Sequence, residues 1–312
     1  MSTDAVVAYV RDGVGHLVLN RPKAINALTH AMVSAIADAL AQWRSDDAVR
    51  LVVLRGAGER GLCAGGDIVA IYHDAQTEST GSLDFWRDEY TLNAAIATFP
   101  KPYVAIMDGI VMGGGVGLSA HGSVRLVTER SMVAMPETGI GFIPDVGGTY
   151  LLSRAPGELG THAALTALRM SGADAIACGL ADHYLPSDLI DDFVSALSTQ
   201  SVDDAVREFS RQPTESELLA QRGWIDAAYA VDDPREIVQR LEACALPGAR
   251  DARQQLLAKS PTAVAATLRS LRRAAELRTL EEVLNQEYRV SSAALRSHDL
   301  REGFRAQVID KD

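Results

Sequence analysis

Three cysteines in 312 residues, Cys63, Cys178 and Cys244, are too few and too scattered for a disulfide framework or a metal-ligand cluster. Reduced thiols and no metal site are expected. Apolar runs are short as well, and none reaches the roughly 18 residues of a membrane span. The first ten residues, MSTDAVVAYV, have neither a basic stretch nor an apolar one, so no secretory signal is expected and the chain is placed in the cytoplasm. Basic residues are in deficit, 30 against 41 acids, and a net charge of −11 argues against a nucleic-acid surface. There is no G-x-x-x-x-G-K-[ST], no H-E-x-x-H and no paired C-x-x-C, which leaves nucleoside-triphosphate and zinc chemistry without support. What remains is a globular chain, 47% hydrophobic, with ample material for a core around a small-molecule site.

Residues 5–20 carry two β-rich runs on either side of Asp12-Gly13 and predict a hairpin. After the turn Arg21-Pro22-Lys23, Thr29 is placed to cap an amphipathic helix with Met32, Ile36, Ala39, Leu40 and Trp43 on one face. A buried strand over 50–55 ends at Gly56. Beyond the CAGGDI turn (63–68), the pattern predicts a helix over 84–98, a strand over 103–107, a short helix over 114–120, and strands over 124–128 and 132–134. From about 187 strand signals stop, and helices are predicted over 189–198, 201–209, 215–230, 234–245, 249–259, 262–276 and 279–295. An α/β body, 1–200, is therefore divided from a helical C-terminal region, 201–312. Neither low-complexity sequence nor a sequence-level repeat is present.

The densest chemical signal is IMDGIVMGGGVG (106–117). Gly113-Gly114-Gly115, opening a helix after an apolar strand, would present free N–H groups and the positive helix end to an anion. Glycine lets backbone reach a developing oxyanion with no Cβ in the way. A tight strand-to-helix turn packed on a neighbour accounts for the same residues. Residues 115–120 also match G-x-G-x-x-A, the dinucleotide fingerprint, but the helix must stop by His121-Gly122 and Glu129 comes too early, so a dehydrogenase is set aside. Gly117-Leu-Ser119-Ala-His121 fails G-x-S-x-G at its last position, and His121, like His183, is read as structural.

Two acids follow in MPETGIGFIPDVGG (135–148). Glu137 sits among Met132, Val133, Ala134, Met135, Ile140, Phe142 and Ile143, where poor solvation would raise its pKa and suit it to acid–base work at neutral pH. A helix-capping glutamate is the plainer alternative. Asp145 occupies a turn eight residues later, where an Asx-turn would serve equally; as a second carboxylate at the same site it could divide the proton work with Glu137. Phe142 and Tyr150 are candidates for an acyl pocket, with core packing as the competing role.

Taken together these motifs resemble the enoyl-CoA hydratase/isomerase (crotonase) superfamily. The cues are LNRPKAINAL (19–28), CAGGDI and MGGGVGLS (112–119). DEYTLN (88–93), MPETGIGFIPDVGG, SPTAVAATLR (260–269) and EYRVS…HDLREGFRA…IDKD (287–312) are similar to its thioester-hydrolase subgroup acting on 3-hydroxyisobutyryl-CoA. The resemblance implies an α/β crotonase-type spiral of ββα units that carries the CoA and acyl site, followed by a C-terminal helical region. It implies that Gly66 and Gly114 donate the two N–H groups to the thioester oxygen, that Glu137 and Asp145 are catalytic, and that Glu89 lies near the acyl group. Coenzyme A, part of the substrate rather than a cofactor, would follow Lys23, Ala24 and Ile25 and then the Ala64–Ile68 turn with Asp67, with Lys23 near its phosphates.

One departure matters. Hydratases of the superfamily carry a second glutamate just after the glycine run, and Gly117 stands there. The resemblance therefore implies hydrolysis of a short β-hydroxyacyl-CoA to the free acid and CoA, with enoyl-CoA hydration or isomerisation as the alternative and a non-catalytic RNA-binding protein as a remote one. It also implies a homo-oligomer, a trimer formed through the helical region, with dimer or monomer as the alternatives because IDKD stops where members of the subgroup run on. No membrane or nucleic-acid partner is expected.

Overall fold

The computed structural model describes residues 5–77 and 79–310. Residues 1–4, 78 and 311–312 lie outside the described residues, and with them the start of MSTDAVVAYV and the end of IDKD.

Among the described residues nine strands are arranged in two sheets: β1 (Val6–Arg11), β2 (Val14–Leu19), β3 (Leu51–Gly56), β4 (Gly61–Cys63), β5 (Tyr103–Met107), β6 (Ile110–Met112), β7 (Val124–Val127), β8 (Met132–Ala134) and β9 (His183–Tyr184). The large sheet runs β1-β2-β3-β5-β7-β9 and the small one β4-β6-β8. β1 and β2 form the predicted hairpin, with φ of 50° at Asp12 and 78° at Gly13, the two left-handed positions that match strand twist in a tight turn. Every other pairing is parallel, and parallel neighbours require the chain to leave the sheet and return. Three times it lays one strand in the large sheet and the next in the small one: β3 then β4, β5 then β6, β7 then β8. This is the spiral of ββα units, a repeat that exists in the geometry and not in the residues.

β3 shows how the spiral is packed. Val52 and Leu54 enter the main core, while Leu51 and Val53 enter a second apolar layer. β5 divides the same way, with Tyr103, Ala105 and Met107 on one side and Val104 and Ile106 on the other. Strands buried on both faces read as continuous apolar runs, which is why LVVL and YVAIM were legible. The second layer is closed by Phe193 and Leu197 and by Val202 and Ala205, so residues on both sides of position 200 share it. Past Tyr184 every described element is helical. The helix Leu280–Ala294 lies against Gly81–Ala97, with Tyr288 edge-on to Tyr90 at 6.3 Å. No helix among the described residues is long and apolar enough to cross a membrane.

Several predicted ends shift by a residue or two, and Thr29 caps its helix by accepting the Met32 N–H. The helix predicted over 215–230 is two, Glu217–Ala220 and Arg222–Tyr229, broken at Gln221 where ψ is near 0°. The elements not anticipated include the helices Ile68–Thr77, Leu159–Thr166, Gly172–Ala177 and His298–Phe304 and the short strands β4, β6 and β9. β4 and β6 are too short to show a period and sit inside turn-like glycine motifs.

Candidate active site

The small sheet assembles the site. Its three parallel strands end side by side, Cys63 opposite Val111 and Met112 opposite Ala134. The chain leaving β4 turns through Ala64-Gly65-Gly66, that leaving β6 passes Gly113 into the helix Gly114–Ser119, and that leaving β8 passes Pro136 into the 3-10 turn Glu137–Ile140. The ends of adjacent parallel strands are where chains diverge and a crevice forms. Glu89 reaches the crevice from Gly81–Ala97, and Asp145 from the loop after the Glu137 turn. Together with Gly66, Gly114, Ala64, Ile68, Trp86, Phe142 and Phe304, the three acids line a cavity of about 70 Å³. That is room for a handful of waters or an acyl group of a few carbons.

Glycine is required at two points. Gly113 has φ of 49° and ψ of −119°, and a Cβ there would lie 3.0 Å from Glu137 Oε1. At Gly114 a Cβ would lie 2.6 Å from Glu89 Oε1, 2.9 Å from Leu28 Cδ1 and 3.6 Å from Gly66 N. The two turns therefore approach closely. Leu28, just before the helix His30–Arg44, is stitched to the first of these turns, its N–H donating to Gly65 O at 2.8 Å and its carbonyl accepting from the Asp67 N–H at 2.9 Å. Among the described residues neither the Gly66 nor the Gly114 N–H is spent on a backbone acceptor. Gly66 itself has space, since a Cβ would meet Phe85 no closer than 3.5 Å.

The three acids are buried, with exposures of 2% for Glu89, 5% for Glu137 and 6% for Asp145. Burial, followed by the Asp145 charge, drives the pKa of Glu137 and of Glu89 well above the carboxylate range. Burial lifts Asp145 only to about 7, because the Tyr90 hydroxyl donates to its Oδ2 at 2.7 Å. Glu89 Oε1 and Glu137 Oε2 have no hydrogen-bond partner among the described residues, an expensive condition for buried carboxyls unless a ligand completes it. Glu137 opens its turn without capping it by its side chain.

The other candidates separate. Ala64 and Ile68 line the cavity. Ile25 is joined to the same turn by the Ala64 N–H at 2.9 Å, while Lys23 and Ala24 are exposed on the short turn Pro22–Ala24. Asp67 pairs with Arg21 at 3.4 Å and is not among the residues that line the cavity. Phe142 lines the cavity and stacks on Trp86 at 5.3 Å; Tyr150 does not line it and lies under the Arg154 guanidinium at 3.7 Å. His121 bonds the Val146 carbonyl at 2.8 Å, and burial lowers its pKa to about 4, in keeping with a structural role. The helix behind the glycine run has six residues, too short for a dinucleotide crossover.

Four residues escaped individual notice. Tyr90 holds Asp145; Ser291 meets the Tyr90 hydroxyl at 3.0 Å; Glu287 accepts the N–H groups of Gly147 and Thr149; Asn93 packs behind Gly117. All four lie in DEYTLN or EYRVS, motifs quoted for the resemblance alone, and nothing in their local spacing shows that the two segments meet.

A ββα spiral whose parallel strands end on free backbone donors and buried acids defines an acyl-group enzyme of the hydratase/isomerase class. The family model described as enoyl-CoA hydratase/isomerase matches residues 14–312, and the chain belongs to that family. The 3-hydroxyisobutyryl-CoA hydrolase, mitochondrial, of Gallus gallus is 39% identical over 318 residues, covering 98% of this chain and 82% of its own. The protein of that name from Homo sapiens is 39% identical over 309 residues, covering 96% and 80%. Among solved structures, a carnitinyl-CoA dehydratase from Mycobacterium thermoresistibile is 58% identical with a TM-score of 0.97, covering 98% of this chain and 90% of that one. An enoyl-CoA hydratase from Rhodobacter sphaeroides 2.4.1 is 42% identical with a TM-score of 0.93, covering 99% and 90%.

Proposed function

We propose that this enzyme hydrolyses the thioester of a short β-hydroxyacyl-CoA, 3-hydroxyisobutyryl-CoA in valine breakdown, to the free acid and CoA. The observation that carries the proposal is the trio Glu89, Glu137 and Asp145 around one small cavity, with no carboxylate at Gly117. The similarity to hydrolases over nearly the whole chain supports it. The thioester oxygen is taken to lie between the Gly66 and Gly114 N–H groups, where removal of one donor typically lowers turnover by about 10²–10³. The exposed Lys23, with Ala24, Ile25 and the Ala64–Ile68 turn, is assigned to the CoA moiety, and Glu89 to the substrate hydroxyl.

Glu137 and Asp145, two neighbouring buried acids, hold one proton between them. When Glu137 carries the charge, Asp145 carries the proton. Attack by Glu137 on the acyl carbon breaks the C–S bond as Asp145 protonates the departing sulfur; Asp145 then takes a proton from water, whose oxygen opens the anhydride and releases the acid. If Glu137 instead acts as base, water adds to the carbon directly and the same two protons move. A single turnover in ¹⁸O water separates these routes, because only the anhydride can leave the label in Glu137.

The second reading, hydration or isomerisation of an enoyl-CoA, is favoured by the similarity to structures described as a dehydratase and a hydratase. Against it, a side chain at Gly117 would meet Val146 Cβ at 2.7 Å and Asn93 Nδ2 at 2.9 Å, so the second glutamate's place is filled. Free-thiol release from (S)-3-hydroxyisobutyryl-CoA, run beside loss of enoyl absorbance with crotonyl-CoA, decides between them. A trimeric or smaller assembly and a cytoplasmic location belong to the same proposal. Light scattering tests the first and cell fractionation the second, the vertebrate relatives being named mitochondrial.

A further inference from the structure

We infer that Tyr90, backed by Ser291, is a positioning residue that aims the Asp145 carboxyl and stabilises the single negative charge that the Glu137–Asp145 pair carries. The inference rests on the hydrolase reading and adds to it two residues 201 positions apart.

Asp145 is surrounded by acids. Glu89 faces it from the helix Gly81–Ala97, Glu137 from its 3-10 turn and Glu287 from the helix Leu280–Ala294, and each of these three responds to its charge. His121 reaches the same loop, but its ring is engaged by the Val146 carbonyl. Against these neighbours the side-chain donor to Asp145 is the Tyr90 hydroxyl, 2.7 Å from Oδ2. That hydroxyl has a single proton, and it is committed to Asp145. Ser291 Oγ, 3.0 Å from the Tyr90 oxygen, must then donate to it. The result is a relay, Ser291 to Tyr90 to Asp145, polarised toward the carboxylate, in which each bond strengthens the next.

The ring is fixed as firmly as the hydroxyl. Tyr90 is 4% exposed, and Tyr288 stands edge-on to it. Four of the residues concerned, Glu89 with Tyr90 and Glu287 with Ser291, lie on two helices that pack together, so the relay ties the Asp145 loop to the same helix that carries Glu89. A phenol in ordinary core packing needs only a place for its hydroxyl; this one is aimed at a reacting acid.

The test is Tyr90→Phe, which keeps the ring and removes the donor. Thiol release is followed from pH 5 to 9, and the Asp145 carboxyl is titrated by ¹³C NMR with Asp145→Asn as the assignment control. The acidic limb of the kcat profile should move up by about one pH unit, with kcat about fivefold lower at pH 7, recovery toward wild type at pH 9 and KM little changed. Ser291→Ala should shift the limb less in the same direction, and the double variant no further than Tyr90→Phe. Should Tyr90→Phe fail to fold, Ser291→Ala carries the same comparison. A uniform fall in kcat with an unmoved limb, or an unmoved Asp145 titration, would overturn the inference. Absence of thiol release from the wild type would reject the hydrolase reading instead, and the NMR titration would still decide the role of Tyr90.

Discussion

Glu287 accepts the backbone N–H of Gly147 at 2.7 Å, joining positions 140 residues apart. Its other oxygen takes the N–H of Thr149 at 2.9 Å and the Thr149 hydroxyl. The loop that bears Asp145 is therefore shaped by a helix near the far end of the chain. Three donors on two oxygens leave no place for an amide NH₂, so Glu287→Gln should lower both kcat and stability. Glu287→Ala should cost about 2–4 kcal/mol by stranding buried donors. Urea unfolding midpoints alongside thiol-release rates check this.

Glu137→Gln should lower kcat by about 10³ or more, and Asp145→Asn by less, because the first removes the nucleophile or base and the second its proton partner. Wild-type turnover in Glu137→Gln, with folding confirmed by circular dichroism, would reject the assigned chemistry.

The two glycine turns should not respond alike. Gly114→Ala drives a methyl into Glu89 and Leu28 and should lower kcat by about 10²–10³ as the donor is displaced. At Gly66 the nearest atoms are at ordinary contact distance, so Gly66→Ala should fold normally and lose much less activity. Steady-state kinetics on the pair, with KM and kcat separated, reads the difference.

Installing a hydratase-like acid should fail. Gly117→Glu would press into Val146 and Asn93, and the expected result is a less stable protein with no gain in crotonyl-CoA hydration. A soluble, stable variant that hydrates crotonyl-CoA would show that this space is available.

Stability should depend on the buried acids with a defined sign. Asp145 and Glu287 keep their protons to about pH 7 and about pH 8 when folded, against about pH 4 in an unfolded chain. Across that window the folded state binds more protons, so this contribution falls as pH rises from about 4 to 8 and is undiminished below it. Asp145→Asn should flatten the part up to about pH 7 and be more stable than wild type at pH 8, by on the order of 1–3 kcal/mol. Urea midpoints at pH 4.5 and 8 for both proteins measure it.

Much of this was written locally. The Asp12-Gly13 turn, the Thr29 cap, the doubly apolar strands LVVL and YVAIM, and the glycine run opening a helix each depend on residues within a few positions of one another. The apolar setting of Glu137 was visible for the same reason, and it correctly predicted a raised pKa. Asp145 was not decidable from its neighbours, since an Asx-turn and a catalytic acid look alike in a segment such as Pro-Asp-Val-Gly-Gly.

By itself, then, the sequence determined the apolar strands, the caps, the helical C-terminal pattern and the acids and glycines available for chemistry, because period, turn propensity and local solvation are short-range properties. The tertiary structure alone decided that β4, β6 and β8 end together, that Gly66 and Gly114 approach, and that Glu89 and Asp145 reach the Glu137 cavity. It alone placed Tyr90, Glu287 and Ser291 around Asp145. These are contacts between segments up to 201 residues apart, and what selects them is the closing of parallel strands and packed helices around a common core, which no local pattern records.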